Sequence, residues 1–230
     1  MKSEVLKLVL PFLTVQILYW STFHIPTNYW SVGDNPGLCI AVIKSLPVSS
    51  LALYLGSSKS NHSLIKNIFW GMMYSIGGDF CLVFPNLFLP GMVFFLAAQI
   101  SFIKAFSFEP LKPKIGVVLG LVMAPVVTFL ILPNIEDFVL KLGVPIYSTA
   151  LGIMTWRALA RTDNGIIEKL TGFGAVLFLI SDGCIGINMF YYKIPKAQEI
   201  ILSTYYGAQF LISLSACKVI SCTEKGAKYT

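Results

Sequence analysis

Apolar runs long enough to cross a bilayer follow one another along almost the whole chain, leaving little sequence for anything else. A spanning helix needs about 20 predominantly apolar residues. Windows of about 19 residues give eight spans, at residues 5–23, 37–56, 64–84, 88–106, 115–132, 138–159, 167–190 and 197–220. The expected fold is therefore all-α, a polytopic membrane protein of about eight transmembrane helices. Of 230 residues only 12% are charged, against about 25% in soluble domains. No soluble catalytic module fits in the loops, so residues 1–230 are read as one integral membrane domain. The helical bundle occupies 5–220 and a short tail 221–230. The first run is read as a permanent helix, since Pro11 and Gln16 break it and no small-x-small cleavage site follows.

The net charge of +6 is orientation rather than a nucleic-acid signal. With the amino terminus cytoplasmic, one side carries Lys2, Lys7, Lys59, Lys66, Lys104, Lys112, Lys114, Arg157, Arg161, Lys169, Lys218, Lys225 and Lys228. The other carries Lys141, Lys193 and Lys196. The positive-inside rule then puts both termini in the cytoplasm. Trp20, Trp30, Trp70 and Trp156 fall near span ends, as anchors of the interfacial aromatic belt do. Cys39, Cys81, Cys184, Cys217 and Cys222 have no metal-like spacing, and four lie in or at the ends of spans as small apolar residues. His24 and His62 are both remote from the acidic residues discussed next. Neither a disulfide framework nor a metal centre is expected.

Within these runs sit two aspartates. Asp79 lies in the run 68–84 and Asp182 in the run 170–190. A carboxylate at mid-membrane costs roughly 3 kcal/mol even on permissive scales, so such residues face a protein interior and normally act there. At 1.5 Å per residue both stand roughly 8 to 12 Å from the outer ends of their helices. Lys44, Tyr147, Tyr205 and Tyr206 fall at a similar depth, which defines one polar layer. Gly71, Ser75, Gly78 and Asp79 share a helical face. In the last span Glu199, Ser203, Tyr206, Gln209 and Ser213 form a polar stripe, and Asn188 extends the polar face beyond Asp182. Lys44 is either a structural counter-ion for an aspartate or a ligand-binding cation.

The halves repeat weakly. Asp79 with Cys81 echoes Asp182 with Cys184, and Ala98-Gln99-Ile100-Ser101 echoes Ala208-Gln209-Phe210-Leu211-Ile212-Ser213. Each pairing is four spans apart with the same orientation, as a parallel four-plus-four duplication requires. Such a duplication makes the aspartates pseudo-symmetric partners. Two carboxylates in one apolar pocket cannot both ionise cheaply, which leaves an acid beside a base at neutral pH. The pair suits hydrolysis through an oxocarbenium-like intermediate. It also suits an intramembrane aspartic protease or a proton-coupled transporter. The protease is disfavoured, because Ile76-Gly77-Gly78-Asp79 lacks the first glycine of G-x-G-D and Asp182 follows a serine rather than a tyrosine.

Tyr74-Ser75-Ile76-Gly77-Gly78-Asp79, Ser181-Asp182, Ser203-Thr204-Tyr205-Tyr206-Gly207-Ala208-Gln209 and Ile43-Lys44-Ser45-Leu46-Pro47 resemble the hallmarks of the YhhN-like lysoplasmalogenase family. Tyr147 and Met154-Thr155-Trp156-Arg157 sit where that family has a tyrosine and an M-x-W-R-type element. One departure is Gln99 and Phe102, where many members have histidine and tyrosine. The resemblance implies an integral enzyme of internal membranes, most simply the endoplasmic reticulum. Such an enzyme hydrolyses the vinyl-ether bond of lysoplasmalogens to a fatty aldehyde and a glycerophospho-ethanolamine or -choline. Asp79 and Asp182 would share the acid and base roles. Lys44 would hold the substrate phosphate. Tyr147, Tyr205, Tyr206 and Glu199 would line the head-group pocket, with Ser75, Asn188 and Gln209 as further substrate-binding positions. No cofactor is required, and the expected partners are a lysophospholipid substrate and membrane lipids, not nucleic acid. The alternative is a transporter using the aspartates as a proton relay.

Overall fold

The computed structural model describes residues 2–23, 36–58 and 60–226; His24, Trp30, Lys59 and Lys228 lie outside them. Eight α-helices occupy the described residues: α1 (Lys2–Phe23), α2 (Pro36–Gly56), α3 (Ser63–Cys81), α4 (Phe88–Phe106), α5 (Pro113–Pro125), α6 (Phe138–Ala160), α7 (Ile166–Phe190) and α8 (Ala197–Gly226). Among the described residues there is no strand. Seven helical segments are long and apolar enough to cross a membrane, those of α1, α2 and α4 to α8. The chain is an integral membrane protein.

The helix α3 falls outside those seven because it carries Ser63, Lys66, Asn67, Ser75 and Asp79. Its polarity goes with burial: Ile65, Ile68, Gly71, Met72, Ser75, Gly78 and Asp79 are all buried. The helix α5 is the opposite case, with no buried residue and with Val117 and Leu121 at 60% and 71% exposure. That is a lipid-facing helix in a chain with this many spans.

Helix ends follow local chemistry. The third span was expected to run to residue 84, yet α3 stops at Cys81. Pro85 forces the residue before it out of the helical region, and Phe84 is extended at φ −103°, ψ 119°. At its start, His62 Nδ1 accepts the Leu64 amide at 3.2 Å, and Asp137 Oδ1 caps α6 by accepting the Leu140 amide at 2.8 Å. Pro125 cannot donate an amide hydrogen, and there α5 gives way to a π-helical stretch, Val126–Ile131. The last helix continues past its apolar window to Gly226, so most of the expected tail is helical.

The chain folds as two compact units, one formed by residues 1–101 and 216–230 and the other by residues 102–215. In the first, α2 packs on both α1 and α3 around Leu8, Val48, Leu51, Leu55, Ile68 and Met72. Here α4 lies close on α3, where a Cβ at Gly78 would meet the Phe95 ring at 2.6 Å. Without a hydrophobic drive between helices in lipid, such small-residue seams supply much of the packing attraction. In the second, α6 packs on α5 and α7, and a Cβ at Gly174 of α7 would stand 2.7 Å from that of Leu211 in α8.

Arg157 is buried in this second unit, not a loop cation. Its Nε donates to Ser107 O at 2.6 Å, Nη1 to Leu111 O at 2.8 Å and Nη2 to Pro110 O at 2.6 Å. Beside it, Trp156 Nε1 donates to Lys112 O at 2.9 Å. The guanidinium also lies 5.3 Å from the Phe108 ring centroid and 5.0 Å from that of Trp156. The last turns of α6 thus hold the α4–α5 connection by its carbonyls, which gives the M-x-W-R-type element a structural job.

Candidate active site

The expected polar face of α3 is real. Gly71, Ser75, Gly78 and Asp79 are all buried on it, and Asp79 is only 2% exposed. Ser75 Oγ donates to Gly71 O at 2.9 Å, so its proton is committed to the helix backbone. From α2, Lys44 brings Nζ to 3.8 Å from Asp79 Oδ1, a charge contact longer than a hydrogen bond. Lys44 thus stands where a counter-ion to Asp79 would.

In the second unit Asp182, on α7, is half-buried. Its Oδ2 accepts a hydrogen bond from the Tyr147 hydroxyl on α6. Tyr147, expected among head-group contacts, is thus the aspartate's own partner. The neighbouring Ser181 Oγ donates to Ile201 O at 3.0 Å and ties α7 to α8. Tyr205 and Tyr206 are buried at 3% and 1% exposure, and Tyr205 packs edge-on against Phe178 with centroids 5.5 Å apart. Gln209 is fully buried one turn further along.

Two further expected residues make contacts at the α7–α8 connection. Asn188 Oδ1 accepts the Ile194 amide at 2.9 Å and braces the α7–α8 connection. Glu199, in the first turn of α8, stands 3.9 Å from Lys196 Nζ with a side chain 41% exposed. A carboxylate there complements the positive end of the helix dipole. Ser203 is exposed, so only the part of the α8 stripe from Tyr206 through Gln209 to Ser213 is buried.

Sequence reasoning passed over a further buried acid. Glu4 is buried at 5% exposure, accepting Lys7 Nζ at 2.7 Å and the Tyr54 hydroxyl at 3.0 Å. The signal was an acid three residues before a lysine in the first turn of a span, a helical pair. It also passed over an apolar cleft of about 520 Å³ between α5 and α6, lined in part by Gly116, Gly120, Met123, Thr128, Ser148 and Gly152. A Cβ at Gly120 meets nothing within 4 Å, so the cleft is open there.

Comparison with known proteins places this arrangement. The model of the YhhN family matches residues 39–216. Lysoplasmalogenase TMEM86B of Sus scrofa is 37% identical over 186 residues, covering 81% of this chain and 79% of that protein. The human TMEM86B lysoplasmalogenase is 35% identical, covering 82% of this chain and 80% of that protein. Lysoplasmalogenase TMEM86A of Bos taurus is 32% identical over 94% of this chain and 90% of its own length. The transporter alternative has no counterpart among these relatives. No solved structure matches the chain.

Proposed function

The chain belongs to the YhhN family, and on that footing we propose that it is a lysoplasmalogenase of internal membranes, most simply the endoplasmic reticulum. It hydrolyses the vinyl-ether bond of 1-alkenyl-glycerophospho-ethanolamine or -choline. The observation that carries this reading is the run of relatives named lysoplasmalogenase that align over four-fifths or more of the chain. Two intramembrane aspartates, each held by a dedicated partner, supply chemistry that suits it.

The reaction consumes one water. An acid donates a proton to the vinyl carbon remote from the ether oxygen, and the double bond becomes an oxocarbenium ion. A carboxylate stabilises that cation and takes a proton from the attacking water. The resulting hemiacetal collapses to a fatty aldehyde and the glycerol hydroxyl. Asp79, given a counter-charge by Lys44, is suited to the carboxylate role. Asp182 is suited to the acid role, since a carboxylic acid can carry its proton on one oxygen while the other accepts the Tyr147 hydroxyl. Lys44 then serves Asp79 rather than the substrate phosphate. Tyr205, Tyr206 and Gln209 remain the substrate-binding candidates on α8. The single hydrocarbon chain suits the α5–α6 cleft, whose lining is largely apolar.

The test is turnover by purified protein in detergent. A vinyl-ether lysolipid should release aldehyde, while the matched saturated alkyl-ether lysolipid should stay intact. Absence of aldehyde from the first overturns the reading.

A further inference from the structure

One buried side chain on α4 has no part in the roles above. Gln99 is fully buried, and among the described residues neither its Oε1 nor its Nε2 has a hydrogen-bond partner. Such an amide forgoes a donor and an acceptor at once, a desolvation cost that an apolar side chain of the same shape avoids. Buried polar groups are nearly always satisfied, so one missing both bonds points to a polar guest.

The α3–α4 seam sets the level of that guest. Going up α4, Gly91 lies against Leu82 and Cys81, and Phe95 lies against Gly78, so the two helices run antiparallel. One more turn along α4 from Phe95 reaches Gln99. One turn back along α3 from Gly78 and Asp79 reaches Tyr74 and Ser75. Gln99 therefore stands a little over one helical turn, roughly 6 to 7.5 Å along the axis, from the level of Asp79. Both belong to the same compact unit. At that level the Ser75 hydroxyl already donates to Gly71 O.

We propose that Gln99 binds the free glycerol hydroxyl of the lysolipid and thereby selects substrates with a single chain. This rests on the lysoplasmalogenase reading. An amide offers a donor and an acceptor together, and a hydroxyl is a small group that answers both. In a lysoplasmalogen that hydroxyl is on the carbon next to the one bearing the vinyl-ether oxygen. A group acting on the ether and a group holding the hydroxyl must then lie within little more than a helical turn of each other, as Asp79 and Gln99 do along the seam. A second acyl chain on that oxygen removes the donor and adds bulk in a fully buried position. A site that hydrogen-bonds a hydroxyl rejects analogues lacking it far more strongly than an apolar pocket can.

The experiment compares an alkenyl lysolipid with its 2-deoxy analogue, using the parent and Gln99→Met in detergent. The parent should prefer the hydroxylated substrate by more than about a hundredfold in kcat/KM, beyond what an apolar pocket achieves. Gln99→Met should lower kcat/KM for that substrate about as much and leave the 2-deoxy analogue unchanged, so that the preference collapses. Its melting temperature should equal or exceed the parent's, because an apolar group replaces two unsatisfied atoms. A variant that keeps the preference, or loses both substrates alike, overturns the assignment. If Gln99→Met does not fold, a parental preference below about threefold overturns it. A parent that cleaves neither lipid instead sinks the lysoplasmalogenase reading. Gln99 is then judged by binding of saturated alkyl lysolipids with and without the hydroxyl, where equal affinities overturn it.

Discussion

Asp79 is almost wholly buried on α3 and faces an ammonium from α2, whereas Asp182 on α7 is half-buried and accepts a phenolic hydroxyl from α6. These are two ways of keeping a carboxyl group inside a bilayer. The ammonium compensates charge but must itself be desolvated, so each member of the pair depends on the other. The phenol fixes position without adding a second charge, and its loss leaves no uncompensated cation behind. The first arrangement should be stiff towards change and the second adjustable.

The aspartates themselves give the largest expected effect. Asp79→Asn and Asp182→Asn should each lower hydrolysis by at least about a hundredfold, and the double variant should be scarcely worse than either. Stability should divide them. Asp79→Asn removes the charge that faces Lys44 and should lower the melting temperature, while Asp182→Asn still accepts the Tyr147 hydroxyl and should melt like the parent. If either variant keeps more than about a tenth of the parental rate, that aspartate is neither acid nor base.

Next come the partners. Lys44→Met should lower kcat by more than about tenfold, beyond the loss of a single hydrogen bond, and should displace the pH–rate profile with little change in KM. A raised KM with an unmoved profile would instead return Lys44 to the substrate phosphate. Tyr147→Phe deletes one hydrogen bond to a carboxyl group, worth about 1.5 kcal/mol or roughly tenfold. Equal losses in the two variants would erase the distinction between the sites.

The smaller effects begin in the α5–α6 cleft, whose lining includes neither aspartate. Gly120→Trp should raise KM several-fold for a long-chain substrate and spare a short-chain one, with the melting temperature unmoved because the position is open. Equal KM values for both chain lengths would remove the cleft from the substrate path.

The smallest effect is expected at an ion pair outside the membrane-spanning segments, which serves as a reference for the buried one. Lys112 bonds to Asp163 and holds its carboxyl below the ordinary aspartate value by that bond and by its charge. A depressed value means stability present above about pH 4 and lost as pH falls through the folded-state value. Asp163→Asn should therefore match the parent in melting temperature at low pH and fall only slightly below it at neutral pH, since exposed pairs contribute little. A neutral-pH loss as large as that of Asp79→Asn would contradict the contrast between exposed and buried pairs.

The spans and both aspartates were legible because hydropathy and intramembrane charge are composition signals, insensitive to which helix touches which. The polar face of α3 was legible for the same reason that its membrane signal is weak, since Ser75 and Asp79 on one face require an interior. Partners were less legible. Arg157 counts as a loop cation in a charge tally, because nothing local reveals that three carbonyls 46 to 50 residues upstream will converge on it. Asn188 and Glu199 share polar faces with residues of the candidate site. Asn188 accepts a loop amide and Glu199 makes a charge contact with a neighbouring lysine, both set by the α7–α8 connection rather than by helical period. Gln99 was visible as a departure from the family pattern, and its lack of a partner emerges only from packing.

The Arg157 clamp has a consequence for how the chain is made. The carbonyls of Ser107, Pro110 and Leu111 precede the guanidinium by 46 to 50 residues. At ribosomal rates of about 5–20 residues per second, those carbonyls wait roughly 2 to 10 s for their donor. During that interval the fourth and fifth helices can enter the bilayer, but the link between them has no fixed form. The sixth helix therefore sets the shape of the turn that came before it. Ribosome-stalled chains ending before and after Arg157 should differ in protease sensitivity at residues 107–112, with protection arriving only once that arginine has cleared the exit tunnel.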